Sequence, residues 1–276
     1  MSVASEVVGL LERLAAAAPM PRVRGLHLPP ADKRGEKEGE FCALELDGGV
    51  MGLSYMLLGD TRERLAELDA TGLRNADALQ VARWYATEAG VRRTVGFAAA
   101  NALCRWFFDR AGFVPDASRD SIGELDPAPG DRIGMIGHFG RLIERIVATG
   151  AELTVIELRA DLVGDYPGYR VTLDPGALAG CNKVLSTSTV LLNDSLEAIL
   201  ANCRAARYFA MVGPGAGGLP DPLFARGVTL LGGTRATDPD AFRAALLAGE
   251  SWSLHTSKFA LAPTAYPGFE ALLTRL

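Results

Sequence analysis

The sequence predicts a chain of two parts, an α+β unit followed by an α/β unit built on a parallel sheet. Three observations carry this. Strand-like runs come first and helical ones after them up to about residue 115. A stretch rich in Asp, Ser, Pro and Gly, DASRDSIGELDPAPGD at 116–131, interrupts the pattern. Beyond it, five short apolar runs each lead into a turn, and most turns lead into a helical segment. With 276 residues there is chain enough for two compact domains, and we place them at 1–118 and 119–276 with 116–131 as the linker region.

The N-terminal run VASEVVGLLERLAAAA carries Leu10, Leu11 and Leu14 at helical spacing, with Glu6 and Glu12 inside the pattern, which predicts an amphipathic helix and not a signal peptide. Three strands follow in RVRGLHL, FCALELDG and VMGLSYML. The first two flank the mixed-charge DKRGEKEGE at 32–40, read as a solvated hairpin tip. Asp47-Gly48-Gly49 marks a tight turn between the second and third. Helices are predicted from near Asp60, from near Asn75 with Asn-Ala-Asp as cap, and from about Val91 to Arg110. The last has an Ala-rich face that permits close packing.

In the second part the strand-like runs are RIGMIG, ELTVIEL, KVLSTS, RYFAMVG and VTLLGG. Strands alternating with helices form parallel sheets covered by helices, and such sheets bind ligands outside the carboxyl ends of their strands. The residues at those exits are Gly137-His138-Phe139-Gly140, Glu157 with a long loop through Asp165–Tyr169, Ser186-Thr187-Ser188-Thr189 leading to Asn193, Gly213-Pro214-Gly215-Ala216-Gly217-Gly218, and Gly232-Gly233-Thr234-Arg235. All five are rich in glycine, hydroxyl or acid.

Composition narrows the function classes. The formal net charge is −5, without the basic face that nucleic-acid binding requires. No apolar run approaches the roughly 20 residues of a membrane-spanning helix. The four cysteines Cys42, Cys104, Cys181 and Cys203 are scattered, as buried free thiols of a cytoplasmic protein would be. No C-x-x-C, H-x-x-x-H or H-E-x-x-H spacing occurs, so no metal site is preformed in the local sequence, and no G-x-S-x-G elbow supports a serine hydrolase.

The glycines Gly134, Gly137 and Gly140 do not have the spacing of the dinucleotide fingerprint, yet Gly137 and Gly140 can still open backbone N–H groups toward an anion. Glu157, twenty residues beyond Gly137, stands where an acid accepts hydrogen bonds from a ribose; it is otherwise a solvated loop residue. His138 is either a hydrogen-bonded structural residue or a group that binds a metal or a carboxylate. The hydroxyls of Thr187 and Thr189 either face a ligand or satisfy local backbone, with Asn193 or Thr189 as helix cap. The loop at 213–220 either admits a ligand to the backbone or turns a corner.

The runs IGMIGHFGRL, TSTVLLNDSLEAIL and MVGPGAGGLPDPLFARGVTLLGGTRATDP resemble the bacterial and archaeal family described as putative heavy-metal chelation. GLSYMLLGD and TVGFAAANALCRW resemble its smaller N-terminal companion domain. The resemblance runs in order over nearly the whole chain. It implies a Rossmann-like domain at 119–276, preceded by an enolase N-terminal-like α+β domain at 1–118, with a ligand cleft where the two meet. The positions it implies for that cleft are Gly137, Phe139, Glu157, Thr187, Asn193, Gly213 and Pro214, with Asn101 from the companion domain. Ser188, Val190 and Gly140 depart from the family pattern, where glycine, threonine and proline are common, and these changes alter the shape and hydroxyl count of the site.

These readings lead to a protein binding a metal or metal chelate, tetrapyrrole- or corrinoid-related by the resemblance, with His138 and Glu157 as the metal-facing residues and a divalent or heavy metal ion as the only cofactor implied. A metal carried by a chelating small molecule fits better than an all-protein cage, because dense ligands are missing and Cys181 precedes its strand. The alternative is an enzyme that binds a nucleotide-like or phosphorylated small molecule, with His138 as acid or base. A non-catalytic carrier using the same cleft is a third reading. The partner expected is a small molecule or metal chelate, not nucleic acid or membrane, and a homodimer is compatible with the sequence.

Overall fold

The computed structural model describes residues 1–33, 36–68, 70–118 and 124–276. Helix α1 (Val3–Ala17) is capped by Ser2, whose side chain accepts from the Ser5 N–H. Strands β1 (Val23–His27), β2 (Phe41–Leu46) and β3 (Met51–Tyr55) form an antiparallel sheet in that order. Helices α2 (Thr61–Glu67), α3 (Ala78–Thr87) and α4 (Gly90–Arg110) follow. The cap of α3 is Asp77, which accepts from the Leu79 and Gln80 N–H groups. Helix α4 is buried on nearly all sides. A Cβ at Gly52 would collide with the backbone of Ala98 and Ala102, and one at Gly96 with the backbone of Tyr85, so α4 lies directly against β3 and α3. The region read as a charged hairpin tip forms 3-10 turns at Ala31–Lys33 and Lys37–Gly39, with residues 34–35 outside the described ones. Buried Arg62 donates to the Pro30 and Gly39 carbonyls and holds these turns down.

The second part contributes β4 (Arg132–Ile136), α5 (Gly140–Val147), β5 (Glu152–Ile156), β6 (Gly164–Tyr166), β7 (Tyr169–Thr172), β8 (Lys183–Thr187), α6 (Leu196–Asn202), β9 (Tyr208–Val212), α7 (Asp221–Phe224), β10 (Leu230–Ala236), α8 (Pro239–Ala248), β11 (Thr256–Leu261) and α9 (Phe269–Leu273). They build an eight-stranded sheet in the order β11-β10-β9-β8-β4-β5-β7-β6. The six strands from β10 to β7 are parallel, and only the edges β11 and β6 are antiparallel. The fold is thus mixed α/β, a large mostly parallel sheet beside a small antiparallel one. Chain order within the parallel strands runs outward from β4 in both directions, the doubly wound arrangement with its switch between β4 and β8.

Three features depart from the sequence reading. The long loop through Asp165–Tyr169 is a hairpin, β6–β7, turning at Pro167-Gly168 with Gly168 at φ +83°, and β7 joins the parallel sheet. Gly232-Gly233-Thr234-Arg235 is not an exit but lies inside β10, because β11 pairs with it as far as Ala236. The linker stretch is packed at both ends. The Ser118 N–H donates to Lys258 O and the Ala260 N–H to Asp116 O, Leu125 is buried, and Lys183 is paired with Asp131 at 2.8 Å. Residues 119–123, which include the start of the predicted second domain, are outside the described residues.

One core runs through both parts of the chain. Ile136, Ile156, Val184, Met211 and Leu231 of the large sheet share it with Leu11, Leu14, Phe97, Leu103 and Phe107. The alternate residues Ile133, Met135, Leu153, Val155 and Leu185 face a second core with Ile143 and Ile146 of α5. The two-residue period of a strand makes this possible, since neighbouring side chains point to opposite faces. Ion pairs fasten the periphery: Arg226–Glu6 at 2.7 Å, Arg13–Glu270 at 2.6 Å and Arg243–Glu45 at 3.0 Å. Glu45 is only 1% exposed and also meets Arg24 and His27, so its buried charge is compensated. Among the described residues, no helix is long and apolar enough to cross a membrane.

Candidate functional site

The exits of β4 and β8 lie side by side at the switch point, and Gly137 is what lets them touch. Its φ of +91° is in the left-handed region that favours glycine, and a Cβ there would sit 3.4–3.5 Å from the Thr187 side chain and the Phe139 ring. The Gly137 N–H donates to Ile156 O, which ties this corner to β5.

Glu157 closes the arrangement from the β5 side. Its Oε2 accepts from the backbone N–H of His138 at 3.0 Å, and its Oε1 accepts from the N–H groups of Leu158 at 2.7 Å and Arg159 at 3.4 Å. A carboxylate with three N–H donors keeps little free acceptor capacity. The His138 backbone, not its ring, makes this link. The exposed imidazole stands 6.5 Å, centroid to centroid, from the ring of Tyr169, which stacks on Tyr166 at 4.8 Å with 8° between planes. Tyr55, at the end of β3, is half-buried. Its phenol is pushed upward by burial and by the negative charges of Glu40 and Glu157, which brings the small sheet within electrostatic reach of this corner.

The hydroxyl cluster after β8 is partly committed to its own backbone. Thr187 Oγ1 accepts from the Thr189 N–H at 3.2 Å and donates to Thr189 Oγ1 at 3.0 Å, capping the turn Ser188–Leu191. Asn193 Oδ1 accepts from the backbone N–H and the hydroxyl of Ser195, and Ser195 itself is the cap residue of α6, so neither Asn193 nor Thr189 caps that helix as the sequence predicts. The loop is also held by the helices: Arg93 of α4 pairs with Asp194 at 2.7 Å, and the Tyr85 hydroxyl donates to Leu191 O at 3.1 Å.

Ser188 connects this corner to the glycine loop after β9. A Cβ at Gly213 (φ +139°) would lie 2.6 Å from Ser188 Oγ, and one at Gly215 would lie 3.1 Å from both Ser188 Oγ and Phe97. Ser188 therefore packs into space left by two glycines. Asn101 sits beyond them, buried, with Nδ2 donating to Leu53 O at 2.9 Å and Gly215 O at 3.2 Å. Its amide N–H groups join β3 to the glycine loop.

The structure therefore brings Gly137, His138, Phe139, Gly140, Glu157, Thr187 and Thr189 together around the switch point, with Gly213, Pro214 and Asn101 on the adjoining flank. Asn193 turns its side-chain oxygen to the backbone N–H and hydroxyl of Ser195. Arg235, at the end of the predicted exit Gly232–Arg235, is not among the site residues that the sequence predicts. It lines a cleft with Arg105, Asn101, Pro214, Gly217 and Thr234. Its signal was available in the alternation of β10, which puts Arg235 on the face of Leu231, toward α4.

As a donor set for a resident metal, these residues fit poorly. Among the described residues no three His, Cys, Asp or Glu side chains converge. All four thiols are buried and free, and burial pushes Cys42, Cys104 and Cys203 up to about 12, far from thiolate at neutral pH. His138 and Glu157 meet through a backbone N–H and not through paired ligand atoms.

Comparison with known proteins agrees with this architecture. A family model with the description "Putative heavy-metal chelation", DUF364, matches residues 120–264, and a second with the same description matches 39–104. An uncharacterized protein of Methanocaldococcus jannaschii is 26% identical over 156 residues, covering 54% of this chain and 57% of that protein. The chain thus spans little more than half the length of that curated relative. Two solved structures of DUF364 proteins of unknown function share the fold. One from Desulfitobacterium hafniense has a TM-score of 0.67 at 21% identity, covering 92% of this chain and 98% of that one. One from Pyrococcus horikoshii has a TM-score of 0.65 at 17% identity, covering 93% and 99%.

Proposed function

This chain belongs to the DUF364 family, and we propose that it binds a metal chelate, a small organic molecule that brings its own metal, at the switch-point corner of the large sheet. The observation that carries this reading is the corner itself. Gly137 lies against Thr187, and Glu157 fastens the His138 backbone, so two strand exits form one fixed platform beside an exposed imidazole and a pair of stacked tyrosines. Flat aromatic surfaces suit a planar organic ligand, and an exposed histidine can offer one axial nitrogen to a metal whose other positions the ligand fills. The scarcity of converging protein donors supports a chelate over a bare ion. A tetrapyrrole is the ligand class this reading favours.

The test is an equilibrium titration of the full chain with Zn2+ and Co2+, offered bare and as complexes of a water-soluble tetrapyrrole. Binding of the complex with micromolar affinity, weakened at least about tenfold by His138→Ala, supports the proposal; a tenfold loss corresponds to about 1.4 kcal/mol. Equal, millimolar binding of both forms refutes it.

A second reading has its own supporting observation. The parallel order β7-β5-β4-β8-β9-β10 is that of nucleotide-binding doubly wound sheets, and Glu157 ends the second strand. In this reading the ligand is nucleotide-like or phosphorylated, and His138 acts as acid or base. The three N–H groups already on Glu157 weigh against a ribose contact. Melting shifts with nucleotides and S-adenosylmethionine that vanish in Glu157→Ala would favour it.

A further inference from the structure

Arg235 is half-buried and, among the described residues, is a cation without an acceptor. Among the described residues its guanidinium makes no hydrogen bond and no ion pair, although it carries five N–H donors. The cleft it lines is narrow, with about 20 Å3 of space inside it, and it opens to solvent. Arg105 of α4 stands on the same cleft, but Asp109 already engages it, with Arg105 Nε donating to Asp109 Oδ2 at 3.0 Å and Nη2 to Oδ1. Arg105 and Asp109 cancel each other, and the uncompensated charge is that of Arg235.

Leaving such a group unpaired is costly. Burial disfavours the charged form of Arg235, and the neighbouring Arg105 disfavours it further, with only Asp109 opposing. A hydrophobic residue in β10 would avoid that cost entirely. A planar guanidinium in a cleft is, however, the side chain best matched to a carboxylate or phosphate, which it can grip with two parallel hydrogen bonds. Such a group would meet Arg235 at the open mouth of the cleft, where Pro214 and Gly217 of the loop after β9 present little side chain and Asn101 Nδ2 is already occupied with Leu53 O and Gly215 O.

We propose that this cleft is an oxyanion subsite, in which Arg235 binds a carboxylate or phosphate group of a small-molecule ligand beside the Arg105–Asp109 pair. The subsite does not depend on any metal at the switch-point corner and stands whether or not the chelate reading holds.

The experiment titrates the full chain with inorganic phosphate and, separately, with acetate at constant ionic strength, in wild type, R235Q, R235K and E157Q. Saturable binding of one anion, weakened about tenfold or more in R235Q and less in R235K, supports the subsite, and the stronger of the two anions identifies its chemistry. R235Q should also melt no lower than wild type in the absence of anion, since no hydrogen bond or ion pair among the described residues is lost. Equal affinity in wild type and R235Q overturns the proposal, as does binding lost in E157Q but kept in R235Q, which would put the anion at the switch point. A lower melting temperature of anion-free R235Q also counts against it, because it would give Arg235 a structural partner.

Discussion

The carboxylate of Glu157, at the exit of β5, accepts the backbone N–H of His138, at the exit of β4, at 3.0 Å. The loops after two consecutive parallel strands are thereby held in one geometry, and the exposed imidazole is carried on a fixed backbone.

The first prediction concerns that bond. Glu157→Gln puts an N–H donor where a carboxylate oxygen faced N–H donors, and loss of a charged acceptor costs about 1–3 kcal/mol. Amide hydrogen exchange should quicken at His138 and Leu158 while β4 and β5 stay protected. Unchanged exchange at His138 would show that another group holds the corner.

Asn101 joins β3 to the glycine loop through two backbone carbonyls. Asn101→Ala leaves Leu53 O and Gly215 O without this donor, and we expect a loss of about 2–4 kcal/mol in chemical denaturation. Asn101→Asp should be worse at neutral pH, since a carboxylate would face those same carbonyls. An aspartate variant more stable than the alanine one would contradict this assignment.

Asp131 fixes the stretch before β4 to Lys183 and Asn182. The Lys183 ammonium bond lowers its pKa, and the Asn182 and Ala128 N–H groups lower it further against opposing desolvation. A depressed carboxylate adds stability that is present above its unfolded value of about 3.9 and is lost as pH falls through its lower folded value. Wild type should therefore exceed Asp131→Asn in stability at pH 6, and the difference should shrink below about pH 4. A constant difference down to pH 2 would mean that the charge is not its source.

The thiols offer a check on the donor chemistry. With Cys42, Cys104 and Cys203 pushed up to about 12 by burial, alkylation at pH 8 should be negligible in the folded protein at these positions and complete after unfolding. Rapid labelling of the native chain would reopen a thiolate metal site.

The elements most legible in the sequence were those whose pattern is local. The α1 periodicity, the three strands of the small sheet and the Ala-rich α4 all follow from local spacing, and the cap of α3 from Asp77 in Asn75-Ala76-Asp77. What was not legible depended on distant partners. The hairpin β6–β7 looks like a polar loop until β5 supplies its parallel neighbour, and GGTRA looks like an exit until β11 pairs with it. Within the site, the glycines and Glu157 were readable because their chemistry is local to strand ends. The alternation of β10 gives the face of Arg235, but its lack of an acceptor among the described residues is visible only when α4 and the β9 loop surround it. The role of Asn193 also needed coordinates, since an amide before a helix can serve a ligand or the backbone, and here its oxygen serves Ser195.

The central claim is that the switch-point corner is where the ligand binds. It is tested most directly by mapping amide chemical shifts of the full chain during titration with a water-soluble zinc tetrapyrrole. The largest changes are expected at residues 137–140, 157–159 and 187–189, with smaller ones at 213–218. Changes confined to other surfaces, with those amides unmoved at saturation, would contradict it.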